Sequence, residues 1–178
     1  MIRLFAALSI PGEIAEGLAR RQQGLPAARW RPLESLHITL RFFGEIAERA
    51  ADDLDAELAV IGGGGFSVAL SGVGAFGEGG GVEAVWAGVE ASEPLSRLAV
   101  RCEMAARRAR LKADRRVFRP HVTLAYVRGA EPRRVAAWIQ SHNLLKSPPF
   151  RVSAFSLYSS WRVGDQSRYQ LERLYPLD

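Results

Sequence analysis

The 178-residue chain repeats one short phrase. His37-Ile38-Thr39-Leu40-Arg41-Phe42 and His121-Val122-Thr123-Leu124-Ala125-Tyr126 share the frame His-x-Thr-Leu-x-aromatic, and together they use two of the chain's three histidines. From average composition, Thr and Leu at those offsets behind two of three histidines is roughly a one in ten thousand coincidence. Both copies mix β-branched and apolar residues in alternation with polar ones, so both read as strands. Residues i and i+2 of a strand share a face, about 7 Å apart. Each copy therefore offers one imidazole and one hydroxyl on one face, with Ile38/Leu40 or Val122/Leu124 on the other. The copies begin 84 positions apart (121 minus 37), near equivalent points of the two halves. That spacing predicts one domain over residues 1–178, built of two pseudo-symmetric lobes whose motif strands face each other across a central cleft.

The remaining pattern predicts an α+β fold with antiparallel or mixed sheets and helices on the outside. Strands are expected over Ile2–Leu8, Ala28–Arg31, Leu36–Phe43, Phe66–Phe76, Val82–Val89, Val117–Val127, Phe150–Ser159 and Arg168–Leu174. The pair around the Gly77–Gly81 turn reads as a hairpin. Helices are expected from Pro11 to Gln23, Glu45 to Ile61, Glu93 to Leu111 with Ser92 as its cap, and Pro132 to His142. In the second of these, Ile46, Ala50, Leu54, Leu58 and Ile61 form one apolar stripe.

Composition excludes several classes. The apolar run at the start is cut short by Pro11 and Glu13, unlike a secretory signal, and no stretch approaches the roughly 20 apolar residues of a membrane span. The single cysteine, Cys102, allows no intrachain disulfide and reads as a buried helical thiol. These features predict a cytoplasmic protein with no membrane association, expected to act as a monomer. The net charge is +5 and almost all the basic residues are arginines, which suit bidentate phosphate contacts and stacking on bases. A GC-rich genome encodes the same bias. The run Arg107, Arg108, Arg110, Lys112, Arg115, Arg116 and Arg119 leads into the second motif, either as a solvated face or as a surface that steers a nucleic acid.

Two imidazoles near their ordinary pKa of about 6.5 supply a proton acceptor and a proton donor near neutral pH. Thr39 and Thr123 supply donors for phosphoryl oxygens, and Arg41, Arg119 and Arg128 are the candidate cations beside them. Phe42, Phe43, Tyr126, Tyr158 and Trp161 are candidates to stack on a base, with Phe43 favoured over Phe42. Strict strand parity puts Phe43 on the His37 face and Phe42 with the core. No metal or other cofactor is expected, because a zinc site wants three or four ligands and no third His, Cys or carboxylate sits at ligand spacing. His142 has no Thr partner and reads as a helix-end residue.

The segments WRPLESLHITLRFFGE (Trp30–Glu45) and FRPHVTLAYV (Phe118–Val127), with the opening RLFAAL and the late LYSS and Tyr169-Gln170-Leu171, resemble the 2H phosphoesterases. The resemblance is strongest to the branch of RNA 2′,3′-cyclic phosphodiesterases also called 2′-5′ RNA ligases. It implies hydrolysis of RNA or nucleotide 2′,3′-cyclic phosphates to 2′-phosphates without metal, with His37 as acid and His121 as base. The chain departs from the pattern at Tyr126, where that family often carries arginine. Three alternatives stay open at this point: an RNA-binding module of the same fold without turnover, a phosphodiesterase for small cyclic nucleotides, and reversible 2′-5′ ligation.

Overall fold

The computed structural model describes residues 1–178. The elements run β1 (Ile2–Ser9), α1 (Gly12–Ala19), β2 (Ala28–Trp30), β3 (His37–Ile46), α2 (Glu48–Ala59), β4 (Phe66–Val68), β5 (Leu70–Phe76), β6 (Ala84–Val89), α3 (Glu93–Arg108), β7 (His121–Val127), α4 (Pro132–His142), β8 (Phe150–Val152), β9 (Ala154–Val163) and β10 (Gln166–Pro176). The class is α+β, and every strand pairing is antiparallel.

The large sheet has the order β10-β9-β1-β3-β7-β6-β5, with β2 added to β7, and β4 and β8 form a separate two-stranded sheet. The two motif strands are neighbours in the large sheet, but only one residue pair, Ile38 and Val122, joins them. Beyond Val122 the free edge of β7 is taken over by β2, which pairs Ala28 to Val127, Arg29 to Tyr126 and Trp30 to Ala125. The sheet therefore opens just past the motif pair, and the chain following β2 enters that opening.

One continuous core lies on the face opposite the histidines. Ile38, Val122 and Leu124 are fully buried there with Leu54 and Leu58 of α2 and Leu95, Leu98 and Cys102 of α3. Ser92 caps α3, its Oγ accepting from the Leu95 N–H. Burial among these side chains pushes the Cys102 thiol up to about 12, so it stays protonated.

Several element boundaries differ from the expectations above: α1 ends at Ala19 rather than Gln23, the strand expected over Phe150–Ser159 is divided into β8 and β9, and three further differences have a physical cause. The helix expected from Glu45 starts at Glu48, because β3 continues to Ile46 by pairing with Ile2 of β1. The single strand expected over Phe66–Phe76 breaks at Ala69, since its two parts pair in different sheets, Phe66–Val68 with β8 and Leu70–Phe76 with β6. The strand expected from Val117 starts only at His121; the segment before it is irregular and is held by side chains.

Candidate active site

Both motif strands carry a bulge at the same place. Along β3, Thr39 pairs with Ala7 and Arg41 with Ala6, so Leu40 is an extra residue. Along β7, Thr123 pairs with Trp86 and Ala125 with Val85, so Leu124 is extra. A bulge inverts the alternation of faces beyond it. Phe42, paired with Phe5, consequently returns to the face of His37 and Thr39, and Tyr126, paired with Ala84, returns to the face of His121 and Thr123. The repeated frame thus delivers three side chains per strand to one face: imidazole, hydroxyl and aromatic ring. Strict parity misplaces Phe43. It packs partly against the core with the Arg41 guanidinium over its ring, and Phe42 stands at the cleft instead.

The two histidines are held alike. His37 Nδ1 donates to the Ser35 carbonyl at 2.8 Å, and His121 Nδ1 donates to the Arg119 carbonyl at 2.6 Å. A carbonyl only accepts, so both rings carry the proton on Nδ1 and leave Nε2 free to take or give one. Extending the register from Ile38–Val122 sets His37 opposite Thr123 and Thr39 opposite His121. The imidazoles then sit diagonally, at a backbone separation of roughly 7–8 Å. His37 lies beside the Phe5 ring at 4.9 Å and meets the edge of Tyr169 at 5.4 Å. His121 meets Phe76 edge-on at 4.8 Å and lies 6.1 Å from Trp86. The Trp86 indole crosses the backbone of Gly74, where any Cβ would clash with it at 2.4 Å.

These aromatic surroundings set the charge state. Burial pulls the His37 imidazole down to about 4, the Ser35 carbonyl pulls the other way, and the positive Arg31 and then His121 add to the lowering. Burial also lowers His121, against the Arg119 carbonyl. In the free protein both rings are neutral at pH 7, His37 the more firmly so.

A cavity of about 140 Å³ opens beside His37; His121 stands outside its lining, on the same sheet face next to Phe76 and Trp86. His37, Thr39 and Thr123 line it, with Phe5, Phe42, Tyr126 and Tyr169 as aromatic walls and Arg3 and Arg31 as cations. A smaller cavity of about 110 Å³ shares Phe5, His37 and Tyr169 with it, and Tyr158 lines that one.

The three arginines expected beside the threonines are elsewhere. Arg41 points to the core face because of the Leu40 bulge. Its Nε donates to Glu103 at 2.5 Å, its Nη2 to the Lys112 carbonyl at 2.7 Å, and Nη1 lies 3.6 Å from Asp114. It thereby ties the irregular segment before His121 to β3 and α3. Arg119 and Arg128 are exposed and outside the cavity. Much of the basic run is also engaged: Arg107 pairs with Glu103, Arg108 with Glu57 and Arg116 with Asp114. Trp161 is 46% exposed on β9 and outside both cavities. His142 ends α4, its Nδ1 on the Trp138 carbonyl. No three His, Cys, Asp or Glu side chains gather in a geometry that could hold a metal ion.

Arg31, Arg3, Phe5 and Tyr169 were not legible as cleft residues. Arg3 and Phe5 follow from β1 lying beside β3, with Phe5 opposite Phe42 and the Arg3 guanidinium 4.9 Å over the Phe42 ring. Arg31 follows from β2 occupying the β7 edge. The only local signal was its place, next to Pro32 and six residues before His37.

Residues 10–164 match the 2′-5′ RNA ligase superfamily. An Archaeoglobus fulgidus protein named RNA 2′,3′-cyclic phosphodiesterase is 29% identical over 162 residues, which cover 89% of this chain and 91% of that protein. A Thermus thermophilus crystal structure matches with a TM-score of 0.81 at 25% identity, covering 99% of this chain and 98% of that one. The E. coli LigT structure with 3′-AMP matches at a TM-score of 0.78 and 27% identity, again over 99% and 98% of the two chains. A duplicated His-x-Thr strand pair on one antiparallel sheet, matched over nearly the whole length, makes this chain a member of the 2′-5′ RNA ligase superfamily.

Proposed function

We propose that this chain hydrolyses RNA 2′,3′-cyclic phosphate ends to 2′-phosphates, using His37 and His121 as a proton-transfer pair and no metal. The observation that carries the reading is the matched pair of imidazoles with free Nε2 atoms, each beside a threonine hydroxyl, on one face of adjoining strands. The names of the relatives support the same substrate class.

In the reaction, one imidazole Nε2 takes a proton from water and the resulting oxygen attacks phosphorus. The bond from phosphorus to the ribose 3′ oxygen breaks, and the second imidazole gives that oxygen a proton. Thr39 and Thr123 donate to the non-bridging oxygens, where charge builds up. A phosphorus bound between the diagonal histidines would have one imidazole on each side, the arrangement that in-line displacement uses. Water does the attacking, so no side chain is joined to substrate. Because burial keeps His37 the more firmly neutral, His37 is favoured as acceptor and His121 as donor, the reverse of the order implied by resemblance. Two lobes meeting at the β3–β7 seam, acting as one monomeric domain in the cytoplasm, complete the reading.

The test is incubation of the purified protein, dialysed against EDTA, with a cyclic-phosphate-ended oligonucleotide and with nucleoside 2′,3′-cyclic phosphates. Turnover to a pure 2′-phosphate is expected. His37→Ala and His121→Ala should each lose about 10²–10⁴ in kcat, and Thr39→Ser should keep far more activity than Thr39→Ala. A full-rate histidine variant, a mixture of phosphate isomers, or inactivation by EDTA with recovery on adding zinc or magnesium would contradict the mechanism.

A further inference from the structure

Arg31 and Arg41 are the two buried arginines of the molecule, each 8% exposed, and they differ in one respect. Arg41 is neutralised by Glu103 and Asp114. Arg31 forms no ion pair. Its one side-chain hydrogen bond runs from Nη2 to the Tyr169 hydroxyl at 2.9 Å. A guanidinium has five N–H donors, so most of Arg31's donors lack a protein acceptor. A buried charge without a counter-charge is costly. It persists here because the rings of Tyr126 and Tyr169 each face the guanidinium, with centroids 5.5 Å from its central carbon. Ring contact stabilises the cation without using its in-plane N–H groups, which stay available to a ligand's oxygens.

The backbone aims this side chain. The Arg31 N–H donates to the carbonyl of Leu124, the bulged residue of the second motif, at 2.8 Å. Gln22 Nε2 donates to the carbonyls of both Arg31 and Leu124, at 2.7 and 3.0 Å, and clamps the end of β2 to β7. Arg31 therefore belongs in space to the second motif's half of the cleft, beside Tyr126, and it lines the same cavity as His37, Thr39 and Thr123.

We infer that Arg31 is the anion receptor of this cleft: its unpaired guanidinium takes the non-bridging oxygens of the phosphate, filling from the position just after β2 the cationic role that Tyr126 cannot fill from β7. This rests on the proposed phosphodiesterase reading and names the residue that holds the substrate's charge. Tyr126 becomes part of the receptor, as the ring that holds Arg31 in place. Arg31 also disfavours a proton on His37 in the empty cleft. A bound phosphate cancels that influence, so binding of the anion is coupled to protonation of the site.

The test separates anion binding from turnover. Inorganic phosphate is titrated by calorimetry into the wild-type protein and into R31Q, R31K, Y126R and R31Q/Y126R at fixed ionic strength, with urea unfolding to establish that each is folded. R31Q is expected to bind phosphate about 10- to 100-fold more weakly, the loss of charge-assisted hydrogen bonds. R31K should lose less, since it keeps the charge without the fork, and it carries the test if R31Q does not fold. R31Q/Y126R, with the cation moved to β7, should regain affinity over R31Q. The surface variant R134Q should bind phosphate as the wild type does. Undiminished phosphate affinity in R31Q, or in R31K if only R31K folds, would overturn the inference, whatever the protein does with cyclic phosphates. Arg31-dependent phosphate binding in a protein that turns over no cyclic phosphate would leave the receptor standing and remove the phosphodiesterase reading.

Discussion

His37 shows how much one ring's surroundings decide. Its partner at Nδ1 is the same kind of carbonyl that His121 uses, yet the ring of Phe5 and the edge of Tyr169 remove more water from it, and the positive Arg31 stands nearby. Proton transfer needs one imidazole protonated and one neutral, a state that prevails between the two pKa values. With His37 near 4 and His121 below 6.5, kcat/KM for a nucleoside 2′,3′-cyclic phosphate is expected to rise through about pH 4 and fall again before 6.5. A pH series from 3.5 to 9 checks this, and a maximum above pH 7 would contradict the burial argument. Roles follow from the same asymmetry. A p-nitrophenyl phosphodiester needs no proton on its leaving group, so His121→Ala should recover most of its rate on that substrate while His37→Ala stays impaired. Recovery by His37→Ala instead would assign the acid role to His37.

Among the elements, the paired bulges at Leu40 and Leu124 do the most. They leave the histidine and threonine where simple alternation puts them and turn the next aromatic ring inward. Phe42 and Phe43 are adjacent, and the bulge gives them opposite duties. Phe42→Ala should raise KM for a dinucleotide ending in a cyclic phosphate, with about 1–3 kcal/mol at stake if a base stacks there, and should change stability little. Phe43→Ala should leave KM near wild type and lower unfolding stability by about 1–3 kcal/mol, less than the 3–5 of a fully buried phenylalanine. Steady-state kinetics and urea unfolding on both variants separate the two, and an exchange of the outcomes would mean strict parity holds after all. The hydrophobic pattern did reveal the strand, because burial alternates cleanly from His37 to Leu40. It could not reveal the bulge, because one inserted residue changes no composition.

For the molecule as a whole, the site makes folding sensitive to acid. His37 is near 4 when folded and about 6.5 when unfolded. Between those values the unfolded chain binds a proton that the folded chain refuses, so stability is fully present above 6.5 and falls as the pH drops toward 4, by about 3 kcal/mol in all. His121 acts in the same direction. A second window lies lower. Asp114, hydrogen-bonded by Arg116, is held near 2, so its contribution is present above its ordinary 3.8 and is lost below that. Urea unfolding from pH 7.5 to 3 should show both windows. His37→Gln should flatten the first and leave the second in place, whereas an unchanged slope between 6.5 and 4 would show that His37 is not desolvated as described.

What was legible in the chain was local. The duplicated phrase brought both histidines and both threonines to one sheet face as strand alternation predicts, and capping by Ser92 marked the start of α3 and Pro132 that of α4, because those signals lie within a few residues of each other. The cations were not legible, because each is decided by contacts distant in sequence. Arg41 stands two residues from Thr39, but the Leu40 bulge and the carboxylates of Glu103 and Asp114 draw it to the core face. Arg31 stands 93 residues before Leu124 (124 minus 31), and only the pairing of β2 with the open edge of β7 brings its charge into the cavity. Side-chain chemistry is written residue by residue. Which charges are neutralised and which are left facing a ligand depends on strand neighbours, and those exist only once the sheet has formed.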